Sequence, residues 1–366
     1  MKFYRMFLSL IIISFFVHFS QTAIAAEPPV KLKIQSAFPA SITYHHDLVR
    51  AAARVKELSG GSVEIEPLSA GQIVPPFELL DATAKGVVDG ALAWSGYWIG
   101  KSPSAILFGG PPAGPFGMNI LEYLGWVNEG GGRALWQEFY VKELGLDVVP
   151  LGGIPGAPQA IGWSSKELNG VADLNGLKCR FTGFSAEIWK RLGVVPVNLP
   201  AGEIIPSAER GVIDCAEWVG AADDMQLGLP RVWKHYTLPG LTEVSSVLEY
   251  LVNGKVWRQL TSQQRAIVEA AFNESTLTGL TRSKMHADAL DEMRGKLGVK
   301  VKQTPVEILK AVVATWDKIA EEESNKSPFF KKVYDSQREY AKSVVPYRRV
   351  SELPSSFLVK HYWSGK

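Results

Sequence analysis

Arg180 lies at the end of an apolar stretch, Leu177-Lys178-Cys179-Arg180-Phe181, just before a turn at Gly183 and an amphipathic helix. The next strand but one ends in the pair Glu217-Trp218. A guanidinium fixed at a strand end can grip a carboxylate through two parallel hydrogen bonds, which sets orientation as well as charge. Facing a second strand end that bears a carboxylate, it suits capture of a small organic acid. Nothing between Leu177 and Gly228 is built to transform that acid. Gly183-Phe184-Ser185-Ala186-Glu187 approaches the hydrolase G-x-S-x-G elbow, but Glu187 stands where the strained turn needs glycine. His45 and His46 are adjacent on a helix and point apart, and Asp223-Asp224 fit the cap of a following turn. No phosphate loop, dinucleotide fingerprint or HExxH occurs.

The elements that must hold these residues alternate between strand and helix. Strands are expected at Lys31–Ala37, Ser62–Pro67, Val88–Trp94, Leu146–Leu151, Gln159–Trp163, Lys178–Phe181, Val195–Asn198, Ile213–Trp218 and Val244–Asn253. Helices are expected at Tyr44–Leu58, Phe77–Lys85, Ala186–Leu192 and Glu203–Glu209, and over Ile120–Leu144 with a break at Gly130-Gly131-Gly132. Gly109–Gly117 cannot be regular structure. Helices Ser262–Leu297, Pro305–Asn325 and Pro328–Val344 fill the C-terminal third. The alternation predicts an α/β protein whose sheets are mostly parallel, with helices on both faces.

Compartment and charge remove whole classes of function. A basic start (Lys2, Arg5), an apolar run from Met6 to Phe19 and the small residues Ala23-Ile24-Ala25-Ala26 read as a secretory signal peptide, cleaved after Ala25. The apolar run falls short of the roughly 20 residues a membrane span needs. The full chain carries 39 Lys and Arg against 37 Asp and Glu; losing Lys2 and Arg5 leaves 37 of each. A neutral mature chain argues against nucleic acid as a partner. Cys179 and Cys215 lack metal-ligand spacing and could pair in an oxidising compartment. Each sits in an apolar strand pattern where cysteine behaves as a small buried hydrophobe, which favours two free thiols.

The motifs together resemble those of periplasmic solute-binding subunits of tripartite ATP-independent periplasmic (TRAP) transporters. The resemblance rests on Gly176-Leu177-Lys178-Cys179-Arg180, Leu192-Gly193-Val194-Val195-Pro196, Gly202-Glu203-Ile204, Gly211–Trp218 and Asp224–Gly228, with Tyr97–Lys101 and Pro115–Gly117 upstream. It is nearest to the branch that binds 2-keto and 2-hydroxy monocarboxylates as a metal complex. The resemblance implies a two-lobed periplasmic-binding-protein fold with a hinge between lobes and long C-terminal helices. Lobe I would comprise residues 26–155 with 240–275 and lobe II residues 156–239 with 276–330. Residues 331–366 would form a helical segment able to dimerise the protein.

Carried onto this sequence, the resemblance makes Arg180 the carboxylate ligand. Glu217, Trp218, Glu243 and Gln159 become the candidate metal ligands, with Gln159 and Trp218 also touching substrate. Oxygen donors of this kind suit a hard cation, Ca2+ or Na+. Tyr97 and Trp98 would form one wall of the pocket and Phe184 another. Two carboxylates would repel an acid unless a cation lay between them, so metal and acid should bind with positive coupling. The implied function is capture of a small monocarboxylate in the periplasm and its delivery to membrane permease subunits, without catalysis. An exported esterase, lyase or isomerase using Glu217 and Arg180 is the alternative, and the missing nucleophile–base pair weighs against it.

Overall fold

The computed structural model describes residues 28–157 and 159–363; the expected signal peptide, residues 1–25, lies outside them. Eleven strands are present among the described residues: β1 (Val30–Ser36), β2 (Val63–Leu68), β3 (Gly90–Ala93), β4 (Val148–Pro155), β5 (Gly162–Ser164), β6 (Lys178–Arg180), β7 (Val195–Val197), β8 (Cys215–Ala216), β9 (His235–Leu238), β10 (Val247–Asn253) and β11 (Lys300–Gln303). They form two sheets, ordered β2-β1-β3-β10-β4 in one lobe and β11-β9-β5-β8-β6-β7 in the other. Alternation in β1 buries Leu32 and Ile34 and leaves Lys31 and Lys33 in solvent. By contrast β10, VLEYLVN, is buried at every position, as a central strand covered on both faces should be.

Five of the nine strand pairings are parallel, a narrower majority than the sequence predicts. The antiparallel pairings all involve β5 or β10, the strands entered when the chain changes lobe. It crosses first from β4 to β5 and returns from β9 to β10. These crossings run side by side: Gly240 N donates to Gln159 O at 2.7 Å and Gly156 N to Ser246 O at 2.8 Å. A Cβ at Gly240 would lie 2.7 Å from the main chain of Ala160, so only glycine lets the crossings approach this closely.

The helical third departs from expectation in one place. Ser262–Leu297 is not one helix but two, Ser262–Leu280 and Ser283–Gly295. Threonines and Gly279 weaken helix propensity near the junction, and Arg282, at the break, pairs with buried Asp47. The first helix packs on β4 and on helix Thr43–Leu58, the second on helix Ala221–Leu227 of the other lobe. Residue 275, the expected lobe boundary, lies within the first of these helices, and the chain turns at 281–282. Helix Val306–Lys326 packs on helix Gly183–Arg191, while Pro328–Ser351 packs on Ile120–Asn128 and Gly132–Glu138, so this C-terminal pair straps both lobes.

Cys179 and Cys215 are not free thiols. They are register partners on the parallel strands β6 and β8, with Cα atoms 4.5 Å apart, and form a disulfide. The loop they close spans a sequence separation of 36 residues; on the chain-entropy model such a link stabilises the fold by about 4 kcal/mol.

Candidate functional site

Between the lobes lies a cleft with about 340 Å3 of atom-free space, part of it open to solvent. Phe38 follows β1, Trp94 follows β3, Arg180 ends β6, and Glu217-Trp218 follow β8. The cleft thus sits beyond the carboxyl ends of the strands, where open α/β sheets place ligands. Gln159 and Glu243 reach it from the two crossings, and Tyr44, Tyr97, Thr182, Val219, Ser246 and Leu248 complete its lining.

Arg180 is only 2% exposed. Its Nε donates to Leu199 O at 3.0 Å and its Nη1 to Glu217 O at 2.8 Å, while the guanidinium lies 5.3 Å from the Trp218 ring centre. Two main-chain carbonyls and an aromatic face therefore orient the cation, while the nearby Glu217 and Glu243 carboxyls feel its charge without forming a close ion pair with it. Among the ion pairs of the described residues, none involves Arg180. Such a charge, held inside the protein, calls for an anion.

Glu217 and Glu243 are buried beside it. Burial, then the neighbouring Glu243 carboxyl, pushes the Glu217 carboxyl well above the usual range. Burial also raises Glu243, against the pull of Arg180. Gln159 Nε2 donates to Glu243 Oε2 at 2.6 Å and to Trp218 O at 3.2 Å, and Ser246 Oγ donates to the same carboxylate oxygen at 3.3 Å. Among the described residues Glu217 Oε2, Gln159 Oε1 and Trp218 Nε1 are buried without a hydrogen-bond partner. Buried polar atoms are seldom left so, and here two acceptor oxygens and one donor share a single cleft.

These residues fit a hard cation. No group of three or more His, Cys, Asp or Glu side chains gathers among the described residues, which disfavours a zinc-type cage. The cleft instead offers two carboxylates, an amide and a main-chain carbonyl, the donor set of calcium or sodium. Amide O and N are interchangeable by rotation. A turned Gln159 would present its oxygen to Trp218 O and Glu243 Oε2, an oxygen cluster that a cation would stabilise.

Two expected wall residues lie elsewhere. Trp98 is buried behind the wall and donates its Nε1 to Glu249 Oε1 at 3.0 Å; Phe184 packs edge-on against Trp316, with centroids 5.7 Å apart. Both are in core packing rather than the cleft lining. Tyr97, next to Trp98, does line the cleft, and burial raises its hydroxyl to about 12. Phe38, Tyr44 and Trp94 were not singled out in the sequence, although Phe38 and Trp94 stand just past strand ends, a position that signals such a role. Trp94 keeps its place because Gly183, at φ +61°, has no side chain: a Cβ there would come within 2.9 Å of the indole. Neither aspartate caps a following turn as expected: Asp224 accepts from the preceding Val219 N and Gly220 N at 3.1 Å, while Asp223 accepts from Thr43 N and Oγ1 at 3.0 and 2.7 Å and ties the lobes together.

Residues 35–326 match the family model "Bacterial extracellular solute-binding protein, family 7", DctP. The chain is 34% identical over 330 residues, 90% of its own length and 89% of the relative's, to a monocarboxylate 2-oxoacid-binding periplasmic protein of Nostoc sp.. A TRAP transporter solute-binding protein of Bordetella bronchiseptica, crystallised as a mixed-occupancy dimer with copurified calcium and picolinate, superposes with a TM-score of 0.84 at 31% identity, covering 88% of this chain and 95% of that one. A TRAP periplasmic solute-binding protein of Colwellia psychrerythraea with bound calcium and pyruvate gives 0.82 at 26% identity, covering 88% and 97%. These relatives are binding proteins of transport systems, not enzymes. The chain accordingly belongs to the bacterial extracellular solute-binding protein family 7, as a two-lobed TRAP-type solute-binding subunit.

Proposed function

We propose that the cleft captures a small 2-oxo or 2-hydroxy monocarboxylate together with Ca2+ in the periplasm, after signal-peptide cleavage, and that the loaded protein delivers it to TRAP permease subunits. The observation that carries this reading is the pair of orphaned oxygens, Glu217 Oε2 and Gln159 Oε1, in the same buried cleft as Arg180, which makes no close ion pair. Arg180 takes the carboxylate; Glu217, Glu243, Gln159 and the carbonyl of Trp218 hold the cation, which the acid meets through a carboxylate oxygen and its C2 oxygen. One arginine, two glutamates, a divalent cation and a monocarboxylate are together neutral, which favours calcium over sodium in so buried a site. Structural relatives hold small acids with calcium or with sodium, which supports a hard cation in this place.

Thermal melting with pyruvate, lactate and longer 2-oxo acids, with calcium, sodium or chelator, tests it. Ligand should raise the melting temperature by mass action, most with acid and calcium together. If no acid shifts the transition at millimolar concentration, the reading fails.

We also propose a homodimer through helix Ser355–Trp363, where Phe357, Val359 and Tyr362 are each more than half exposed. Loss of the dimer on deleting residues 353–366, followed by light scattering, is the expected result.

A further inference from the structure

We infer that the Cys179–Cys215 disulfide is a positioning device for the cleft, setting the spacing between the carboxylate-binding arginine and the cation-binding glutamate. The inference rests on the function proposed above. Cys179 immediately precedes Arg180, and Cys215 stands two residues before Glu217. Side chains alternate along a strand, so the sulfurs face the apolar interior formed by Leu177, Phe181, Trp189 and Val194, and Arg180 faces the cleft. The strands that carry the site are short: β6 has three residues and β8 two. Beside the bond, their ends are tied by Asp214 N to Lys178 O at 2.6 Å, Glu217 N to Arg180 O at 3.2 Å and the Arg180 Nη1 contact to Glu217 O at 2.8 Å. Two of these, at 3.2 and 2.8 Å, join the two residues on which the site depends, and the second needs the Arg180 side chain itself.

β6 and β8 are held by neighbours on both sides, but with so few rungs between them a shift of one against the other would let the carboxylate and cation subsites drift apart. Cation and acid could each still bind, but they would no longer meet across a fixed distance. The covalent link, one residue back from Arg180, removes that freedom. Both cysteines are therefore positioning residues, acting through Arg180 and Glu217 rather than touching ligand.

The test is isothermal titration calorimetry of pyruvate with and without saturating calcium. It compares oxidised protein, the same protein reduced with a phosphine, and the double variants Cys179→Ala/Cys215→Ala and Cys179→Val/Cys215→Val. All are measured well below their melting temperatures, with circular dichroism confirming the fold. A merely structural bond lowers the melting temperature and leaves the calcium–pyruvate coupling intact. The positioning role lowers that coupling at least tenfold in the reduced protein and in both variants. Coupling within twofold of the oxidised protein in any folded arm overturns it. Should oxidised protein bind neither ligand, the proposed function fails and this inference with it; oxidised and reduced proteins that bind alike defeat the positioning role alone.

Discussion

Two buried carboxylate sites in this molecule look alike by burial and differ in what surrounds them. Glu249, on β10, is completely buried, and burial raises its carboxyl to about 7. It receives Trp98 Nε1 at 3.0 Å, Trp136 Nε1 at 2.9 Å and the Tyr140 hydroxyl, so its two oxygens are fully engaged by core aromatics. Glu217 and Glu243 are also buried and also raised, but they face each other, an arginine without a close ion pair, and the cleft, and one Glu217 oxygen has no partner. Burial and a displaced pKa therefore do not by themselves mark a binding site. What separates the two sites is the unsatisfied oxygen facing the cleft.

Four outcomes would sharpen or break this contrast. The largest concerns Arg180→Ala, which should weaken acid capture by about 2–5 kcal/mol, the usual cost of truncating one partner of a buried charged contact; calorimetry showing undiminished binding would remove the anion pole of the cleft. Next, Glu217→Gln should abolish the calcium response, worth about 2.7 kcal/mol at a hundredfold excess over Kd, while leaving the metal-free melting temperature unchanged or higher. The mirror variant, Glu249→Gln, sets an amide donor against indole and phenol donors. It should cost about 1–3 kcal/mol in denaturant unfolding with the calcium response preserved, and a lost response would erase the distinction between the two sites.

The last outcome is in pH. All three glutamates hold protons in the folded state where the unfolded chain has released them. That stabilisation is full below the ordinary glutamate value of about 4.5 and lost as pH rises through the folded value, about 7 for Glu249. Metal-free protein should thus lose stability over this window, at no more than about 1.4 kcal/mol per pH unit for each carboxyl. Calcium affinity should rise over the same range, because cation and proton compete for Glu217 and Glu243. A calcium affinity that is flat with pH would count against those carboxylates as ligands.

Much of the cleft was legible in the sequence because its residues sit at strand ends with their own local signals. Arg180 closes LKCR, and Glu217-Trp218 close VIDCA before a helix. What sequence could not give was adjacency. β6 lies between β7 and β8 in the sheet, so Cys179 and Cys215 become neighbours only through a crossover. Their apolar contexts read equally well as packed thiols, and the free-thiol expectation failed for that reason. β9 and β11 escaped notice because HYTL is four residues long and runs into proline, and KVKQ is a polar edge strand. Trp98 misled because consecutive aromatics in a tight turn face opposite ways, Tyr97 to the cleft and Trp98 to Glu249.

The disulfide also bears on timing. In a reducing cytoplasm Cys179 and Cys215 remain thiols, since the bond forms only when they give up two protons and two electrons to an oxidant. A precursor awaiting export would therefore meet the cell's own 2-oxo acids with its clamp unset. On the positioning role inferred above, tight coupling of cation and acid would be acquired only where the bond can form, outside the cytoplasm.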